Sequence, residues 1–445
     1  MPTSQVIIGD AYGGMSMESI VLLSLLVVLI LLGSPIGFTL ILLPTVYVLM
    51  TGAAPLTLIP FKMFDAIDSV PLTAIPFFML TGELMTSATI TDRLVELSRR
   101  MIGRMRGSLA QVNVLVSMFF AGMNGSVVAD AATVGSLLIP AMKRAGYPAA
   151  FAAAITAVSG TIGGIIPPSI AMIILANAGG ISVGALFAAG IIPGLLIGAT
   201  LMAINWALAV RHDFERSEEA FSFGALGKAA GAASFALIIP IVLVGSVVGG
   251  VAGVVEAGAI TATTALIVGL FVYRTITWTN CKGAFVRAFR TSASVFIIIA
   301  AAGPFSWLLT SLGAIKELET WLLTFKDNPL LFAFVIVAFI YILGMIMDSA
   351  ANIIVVGPVL IKVMVTAGYP EVQAAMVCVV GFLIGTVTPP LGVAYFTTAA
   401  IAKASLESVA FAMLPYLVAL FGLLFLLVVA PDVTMFLPTL WGFVK

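Results

Sequence analysis

Apolar segments of membrane-spanning length follow one another along most of this chain, and short polar stretches separate them. The first three lie at about 19–33, 35–51 and 70–88. A helix needs about 20 mostly apolar residues to cross the hydrocarbon core of a membrane. Gly33-Ser34-Pro35 divides the first two segments and leaves open whether they form one long tilted helix or two. The pattern therefore predicts a group of spanning helices over about 19–88.

Residues 91–106 have a different pattern. Leu94, Leu97 and Met101 share one face of a helix, and five arginines occupy the rest of the segment. An apolar stripe beside a basic face is typical of a helix that lies in the membrane interface. We expect an interfacial arm helix here.

The next two apolar segments are interrupted in the middle. The segment 107–143 contains Asn124-Gly125-Ser126, and the segment 149–176 contains the run Gly163–Pro168. Backbone N–H and C=O groups cannot remain unpaired in hydrocarbon, so such breaks are tolerated only inside protein or beside a polar cavity. We expect a re-entrant hairpin at 107–143 and a broken helix at 149–176.

The second half of the chain repeats this plan. Gly146-Tyr147-Pro148 recurs as Gly368-Tyr369-Pro370, and Pro167-Pro168 recurs as Pro389-Pro390, both at an offset of 222 residues. Asp130 and Pro140 match Asp348 and Pro358 at an offset of 218, which predicts a four-residue slip between Pro140 and Gly146.

The expected fold is an all-α polytopic membrane protein made of two inverted-topology repeats. The predicted division is a first repeat at 1–210 (scaffold about 19–88, arm 91–106, hairpin 107–143, broken helix 149–176, closing helix 184–210), a cytoplasmic linker at 211–233, and a second repeat at 234–445 (scaffold 234–311, arm 314–326, hairpin 329–366, broken helix 371–402, closing helix 405–430).

Basic residues predict the orientation. If 107–143 crossed the membrane once, basic residues would flank both of its ends on opposite sides, which the positive-inside rule disfavours. A hairpin keeps both basic ends in the cytoplasm, and the second hairpin then enters from the other side. This topology places fifteen Lys and Arg residues in the cytoplasm and five outside, with both chain termini on the periplasmic side.

Composition agrees with a membrane protein and excludes other classes. The 445 residues are 61% hydrophobic and 9% charged, with mean hydropathy +1.21 and no net charge. Nothing therefore points to nucleic acid. Cys281, Cys378 and the single histidine, His212, lie far apart, so we expect no disulfide framework, metal centre or cofactor. We find neither a candidate catalytic nucleophile nor a nucleotide-binding loop in the sequence. We therefore expect that the protein is not an enzyme.

The breaks supply the candidate chemistry. Unwound carbonyls suit a small cation, and the helix that starts after Pro167-Pro168 points free N–H groups at an anion. Asp130 and Asp348 either contact a ligand or order their hairpins, and the residues leave both readings open. Small polar groups at the breaks either line the site or bond loose backbone, namely Asn124, Ser126, Ser169 and Thr388. Glu83 is expected to reach the membrane interface.

Several runs resemble the large membrane subunit of tripartite ATP-independent periplasmic (TRAP) transporters. In order they are Ala74–Leu84, Asn124–Asp130, Gly146–Pro148, Gly164–Ile170, Gly344–Asp348 and Gly385–Pro390. The resemblance covers nearly the whole chain. It implies a sodium-coupled importer of small organic acids in the bacterial or archaeal inner membrane, which works by an elevator motion. It also implies a separate small four-helix membrane subunit and a periplasmic substrate-binding protein as partners.

The resemblance also assigns residues. Sodium ligands would be Ala121, Asn124, Gly163, Ile166 and Pro168 in the first half, and Gly344, Gly385, Thr388 and Leu391 in the second. Asn124, Ser169 and Asp348 would face substrate, with Ser126 beside them at the hairpin tip. Gly125, Asp130, Pro167, Pro389 and Pro390 would form the structural breaks and caps. The chain departs from the family at Ala121 and Asn124, where serine-type residues are common.

Two other functions remain open. A stand-alone elevator carrier of organic anions or ions would have the same inverted repeats and would need no binding protein. A membrane scaffold would not need paired breaks in the middle of the bilayer.

Overall fold

The computed structural model describes residues 17–214 and 222–444, and the regular structure in these ranges is helical. The helices are α1 Met17–Leu31, α2 Ile36–Thr51, α3 Leu58–Ile67, α4 Ala74–Ser87, α5 Ile90–Ile102, α6 Ser108–Asn124, α7 Val127–Arg144, α8 Ala149–Gly163, α9 Ile170–Gly179, α10 Val183–Arg211, α11 Phe223–Val248, α12 Val254–Ile267, α13 Trp278–Ser311, α14 Ala314–Leu323, α15 Pro329–Ile346, α16 Ser349–Val355, α17 Gly357–Thr366, α18 Glu371–Gly385, α19 Val393–Ala402, α20 Leu406–Val429 and α21 Asp432–Leu440.

Six of the described helices are long and apolar enough to cross a membrane, and two bent pairs raise the number to eight if each pair is one span. Helices of this length and composition, with exposed apolar side chains around the outside of the molecule, identify a multi-pass membrane protein.

The first scaffold segment contains more helices than the sequence predicted. Residues 19–51 form two helices, α1 and α2, because the chain turns at Gly33 with φ +85°. Helix α3 was not predicted. It meets the continuous segment Pro71–Ser87 at a bend of 68°.

Helix α5 has the expected amphipathic pattern except at Met101, which is 43% exposed. Leu94 and Leu97 are buried against α6 and α11, while Arg100 pairs with Glu96 at 2.7 Å on the outer face. The guanidinium of Arg93 lies 4.0 Å from the centre of the Tyr273 ring. The arginines therefore lie on the less buried side of α5, while Leu94 and Leu97 pack against α6 and α11.

Two helices form the centre of the protein. Every residue of α8 from Phe151 to Gly163 is buried, and so is every residue of α18 from Val372 to Gly385. A helix that is apolar on all sides is stable only when neighbours surround it. Helices α6, α7, α19 and α20 surround α8, and α15, α17 and α20 pack on α18.

One predicted boundary in the middle of the chain is wrong. The predicted linker 211–233 is helical from Phe223 onward, where Ser222 caps α11, and residues 215–221 lie outside the described part. Within the predicted scaffold 234–311, helix α13 begins at Trp278, with Thr277 as its cap. Helix α21, at the end of the chain, was not predicted.

The boundaries of the hairpins and broken helices recur at an offset of 222 residues, to within one residue. Shifted by this number, α7 covers 349–366, which are the residues of α16 and α17, and α8 coincides with α18. The predicted slip of four residues is therefore wrong. Asp348 takes the place of Ser126, and the residue that matches Asp130 is Asn352. The match of Asp130 with Asp348 failed because it paired two acids by type alone.

Glu83 is not a free interfacial acid. Its Oε2 accepts a hydrogen bond from Nε of Arg287 at 2.7 Å, which joins α4 to α13. Both side chains are partly exposed, so the pair contributes little stability, about 0–1 kcal/mol.

The helices form two groups that meet at a central cavity. Helices α2, α3 and α4 pack on α13, and α12 packs on α4. The hairpins and broken helices form the second group, in which α7 and α19 pack on α8, and α15 packs on α18. Helix α16 contacts α13, so the tip of the second hairpin lies against the first group.

Candidate substrate and ion site

The central cavity has a volume of about 180 Å³ and lies between α13 and the broken helices. Its lining includes residues from both halves of the chain, namely Met79, Gly125, Ser126, Val127, Val128, Ile170, Ala171, Ile174, Thr291, Ser294, Val295, Ile298, Asp348, Ser349, Ala350, Ile353, Leu383 and Thr386. No lysine or arginine is among these lining residues.

Helices α7 and α9 both begin at the cavity wall. Ser126 precedes α7 and accepts a hydrogen bond from the N–H of Ala129 at 3.4 Å. Ser169 precedes α9 and accepts from the N–H of Met172 at 3.3 Å. The first N–H groups of a helix have no partner within the helix, and they carry its positive dipole end. The cavity wall therefore favours negative charge without a basic side chain.

Asp348 lies in the same wall at the tip of the second hairpin. One carboxylate oxygen accepts a hydrogen bond from the N–H of Ala350 at 2.9 Å, so the side chain caps α16. The side chain also lines the cavity. Asp348 therefore orders the hairpin and borders the cavity, and its contact with a ligand stays a prediction.

In the first half, the hairpin tip and the helix break touch backbone to backbone. Gly125 has φ +60°, and a methyl group on it would lie 2.7 Å from the carbonyl oxygen of Pro168 and 3.2 Å from the nitrogen of Ile170. A methyl group on Gly163 would lie 2.8 Å from Cβ of Asp130. Only glycine allows both approaches.

The second half has an equally close contact. A methyl group on Gly385 would lie 2.3 Å from Cα of Gly344, so α15 and α18 meet without an intervening side chain. The Thr388 hydroxyl donates to the carbonyl of Ile384 at 2.8 Å, and its remaining lone pairs leave it able to bind a cation. Both Pro167-Pro168 and Pro389-Pro390 contain a cis peptide bond.

These contacts bring together helix ends that suit a cation. Helices α6 and α8 end at Asn124 and Gly163, and α15 and α18 end at Ile346 and Gly385. The last carbonyls of a helix lack partners within the helix and carry its negative dipole end. Carbonyl oxygens are hard ligands of the kind that alkali cations take in transporters. The residues present therefore fit a sodium ion in each half.

The sequence comparison decides the family. The model of the family "Tripartite ATP-independent periplasmic transporter, DctM component" matches residues 23–433. The chain belongs to this family. It is the large membrane subunit of a TRAP transporter, and it is a multi-pass protein of the inner membrane.

Curated relatives agree. The TRAP large subunit is 32% identical over 413 residues to the sialic acid TRAP transporter large permease protein SiaM of Vibrio cholerae, covering 93% of this chain and 96% of that one. It is 33% identical over 424 residues to the 2,3-diketo-L-gulonate TRAP transporter large permease protein YiaN of Escherichia coli, covering 93% and 99%. These relatives are permeases, which are not enzymes.

A solved structure also shares the fold. The YdaH transporter of Alcanivorax borkumensis aligns with a TM-score of 0.59 at 15% identity, covering 84% of this chain and 87% of that chain. At this identity the likeness concerns the arrangement of helices and nothing finer.

The remaining predicted residues of the TRAP subunit do not line the central cavity. Ala121 is buried in α6, and Ile166 packs against Gly194 of α10. Ser169 is buried, and its hydroxyl donates to the carbonyl of Gly164. The other positions show no contact with the central cavity: Pro167 and Pro168 in the first break, and Thr388, Pro389, Pro390 and the half-buried Leu391 in the second. The side chain of Asn124 lies outside the described part.

Sequence reasoning missed the polar side of the cavity that α13 provides. Thr291 and Ser294 lie one helical turn apart and both line the cavity, together with Thr386 from the second break. The signal was present, because two small polar residues three positions apart on an apolar helix mark one polar face.

Proposed function

We propose that this TRAP subunit imports a small organic acid, that a sodium gradient drives the import, and that an elevator motion of the hairpin-bearing group carries the ligands across. The observation that carries the proposal is the central cavity, where the starts of α7 and α9 and the carboxylate of Asp348 meet.

Several features support an anionic substrate. The N–H groups at the starts of α7 and α9 attract a carboxylate, as anions are bound at helix N-termini generally. Asp348, Thr291 and Ser294 would accept or donate hydrogen bonds to hydroxyl groups of the same molecule. Two relatives are named for sialic acid and for 2,3-diketo-L-gulonate, and both of these compounds carry a carboxylate and hydroxyl groups.

The helix C-termini beside the cavity support sodium coupling. Ala121, Asn124, Gly163, Ile166 and Pro168 would offer mainly backbone carbonyls in the first half. In the second half the corresponding ligands would be Gly344, Gly385, Thr388 and Leu391. Bound cations would also offset the charge of an organic anion in a site of low polarity.

The position of the cavity between two helix groups supports the elevator motion. One wall is α13, and the opposite walls are the starts of α7 and α9 and the tip of the second hairpin. A displacement of the second group along α13 would carry the ligand-binding backbone with it. The inverted orientation of the two repeats, with both chain termini on the periplasmic side, belongs to this proposal and accounts for the asymmetry of basic residues.

Membership of the TRAP family implies a small membrane subunit and a periplasmic binding protein as partners. The isethionate TRAP transporter permease protein DctMQ of Oleidesulfovibrio alaskensis is 31% identical over 407 residues, which cover 92% of this chain but 64% of that relative. We propose that a separate four-helix chain fills this role here, and that the binding protein delivers the substrate.

Uptake into proteoliposomes tests the proposal. The large subunit is reconstituted with its small subunit, the binding protein is added, and labelled organic acids are supplied. An inward sodium gradient is expected to drive accumulation without ATP. Uptake driven by a proton gradient and indifferent to sodium would refute sodium coupling.

The same preparation separates the proposal from a stand-alone carrier. The binding protein is omitted in one arm, and the small subunit in another. A TRAP mechanism requires both components. Full uptake by the large subunit alone would support the carrier instead.

A further inference from the structure

The two hairpins differ at one buried position, where the first has an acid and the second has its amide. The common offset of 222 residues that relates the helix boundaries pairs Asp130 in α7 with Asn352 in α16. Both side chains are completely buried. The two residues are nearly equal in shape, so the difference lies in charge and hydrogen bonding.

In the second hairpin the amide is a donor. Nδ2 of Asn352 donates to the carbonyl oxygens of Leu343 and Met347, both at 3.2 Å. These carbonyls lie at the end of α15 and just beyond it, so the amide ties the returning arm of the hairpin to the end of the first arm. An ionised carboxylate has no N–H or O–H and cannot do this.

In the first hairpin the carboxylate has no such partner. The carbonyls in the matching places belong to Ala121 and Gly125, and neither oxygen of Asp130 has a hydrogen-bond partner among the described residues. Ser117 lies beside the carboxylate, but its hydroxyl hydrogen-bonds to that of Ser159 at 3.3 Å. A buried carboxylate without hydrogen-bond partners keeps its charge only if a cation lies beside it, and otherwise takes up a proton.

No side chain on the neighbouring helices provides that charge. Helices α6, α8 and α19 pack on α7, and α6 and α8 contain no acidic or basic residue, while α19 contains only Tyr395. On α7 itself the basic residues are Lys143 and Arg144, in its last turn, and Asp130 is in its first turn.

The carboxylate also lies against the first-half break. A methyl group on Gly163 would be 3.2 Å from Cγ of Asp130 and 3.4 Å from the carbonyl oxygen of Ser126. The acid is therefore directly beside the C-terminal end of α8, where the negative end of the helix dipole favours a cation.

We propose that Asp130 supplies the negative charge of a monovalent cation site in the first hairpin, while the matching position of the second hairpin is the neutral Asn352 and the acid of that hairpin, Asp348, lies at the central cavity instead. This inference rests on the proposed sodium coupling. It makes the two sites unequal, because one cation is held by a carboxylate together with carbonyls, and the other is held by uncharged oxygens. The first-half site is expected to bind sodium more tightly.

Equilibrium sodium binding to the purified complex of large and small subunits tests the inference without transport. Binding of ²²Na⁺ is measured together with the sodium dependence of the melting temperature, at constant ionic strength. Asp130→Asn is expected to raise the sodium concentration for half-maximal effect about 10-fold or more, from the loss of a unit charge within a few ångströms. The variant tests charge rather than packing, because Asn352 shows that an amide fits this position of a hairpin.

Two further variants complete the experiment. Asn352→Asp is expected to destabilise the sodium-free complex and to strengthen its response to sodium. Asp432→Asn, which removes an exposed carboxylate at the start of α21, is expected to leave sodium binding unchanged.

The outcomes separate the inference from the proposed function. An unchanged half-maximal sodium concentration in Asp130→Asn, with a normal response in the parent protein, overturns the role of Asp130 alone. An unchanged sodium response in Asn352→Asp also contradicts it, and this second variant applies even if Asp130→Asn fails to fold. A parent protein that binds no sodium overturns the proposed coupling as well.

Discussion

Replacing Gly385 with alanine tests whether direct backbone contact shapes the second-half ion site. The new methyl group would lie 2.3 Å from Cα of Gly344, 2.5 Å from its carbonyl carbon and 2.7 Å from its carbonyl oxygen. Optimal separations of such atoms are about 3.5–4.0 Å, so α15 and α18 must move apart by roughly 1 Å. The obstacle is backbone and cannot rotate away.

The expected loss follows from these distances. Overpacking of a closed core costs about 1–3 kcal/mol. Removing the flexibility of glycine in a helix returns about 0.5–1 kcal/mol, so a net destabilisation of about 1–2 kcal/mol is expected. Separation of the two helix ends also moves apart the carbonyl oxygens that are proposed to bind sodium in the second half. The sodium concentration for half-maximal uptake is therefore expected to rise about 10-fold, equivalent to about 1.4 kcal/mol.

The assay compares Gly385→Ala with Gly422→Ala in sodium-dependent uptake and in thermal unfolding. Gly422 lies in α20 with no atom within 4 Å of the position of a methyl group, so alanine is expected to be tolerated there. If Gly385→Ala matched the parent protein in both measurements, the reasoning about the glycine contact would be refuted.

Three further substitutions test single interactions. Asp348→Asn keeps the shape of the cap but removes the charge in the cavity, and uptake is expected to fall at least about 10-fold; unchanged rates would limit the residue to a structural role. Ser169→Ala removes the cap of α9 and is expected to cost about 1 kcal/mol in thermal stability and to weaken uptake; full stability would show that water replaces the cap. Tyr416→Phe leaves the buried Oδ1 of Asn205 without its 2.6 Å hydrogen bond, and a loss of about 1–3 kcal/mol is expected by thermal unfolding, with little change in sodium affinity.

The breaks were predictable from sequence because their causes are local. Proline cannot donate a backbone hydrogen bond, and glycine permits φ above zero, so Pro167-Pro168 and Gly125 mark interruptions in any surroundings. The capping role of Ser126 follows in the same way, since a serine before a helical run accepts from the N–H groups of its first turn.

Contacts between distant segments were not predictable in this way. Nothing in the sequence shows that Gly344 and Gly385 touch, or that Glu83 pairs with Arg287, because these contacts depend on how helices pack. Helix α3 was missed because Lys62 and Asp65 dilute its apolar pattern. The start of α11 was missed because its glycine, alanine and lysine residues are typical of a polar connection.

The pairing of Asp130 with Asp348 shows a further limit. Two acids in related segments are easily aligned with each other, and nothing in the sequence alone excludes a shift of four residues in the alignment of the two repeats. Helix boundaries correct the match, since α7 and the pair of α16 and α17 have the same length and follow breaks at the same offset. The corrected match changes the chemistry, because the acid Asp130 of the first half then corresponds to the amide Asn352 of the second half.

The central claim is that irregular backbone from both halves of the chain binds two cations and an organic anion around the central cavity. An experimental density map of the complex with sodium and its substrate tests this most directly. The account predicts one cation at the end of α8 beside Gly163, a second at the contact of Gly344 with Gly385, and the anion at the starts of α7 and α9. Cations or substrate bound elsewhere, with these helix ends closed only by protein hydrogen bonds, would contradict it.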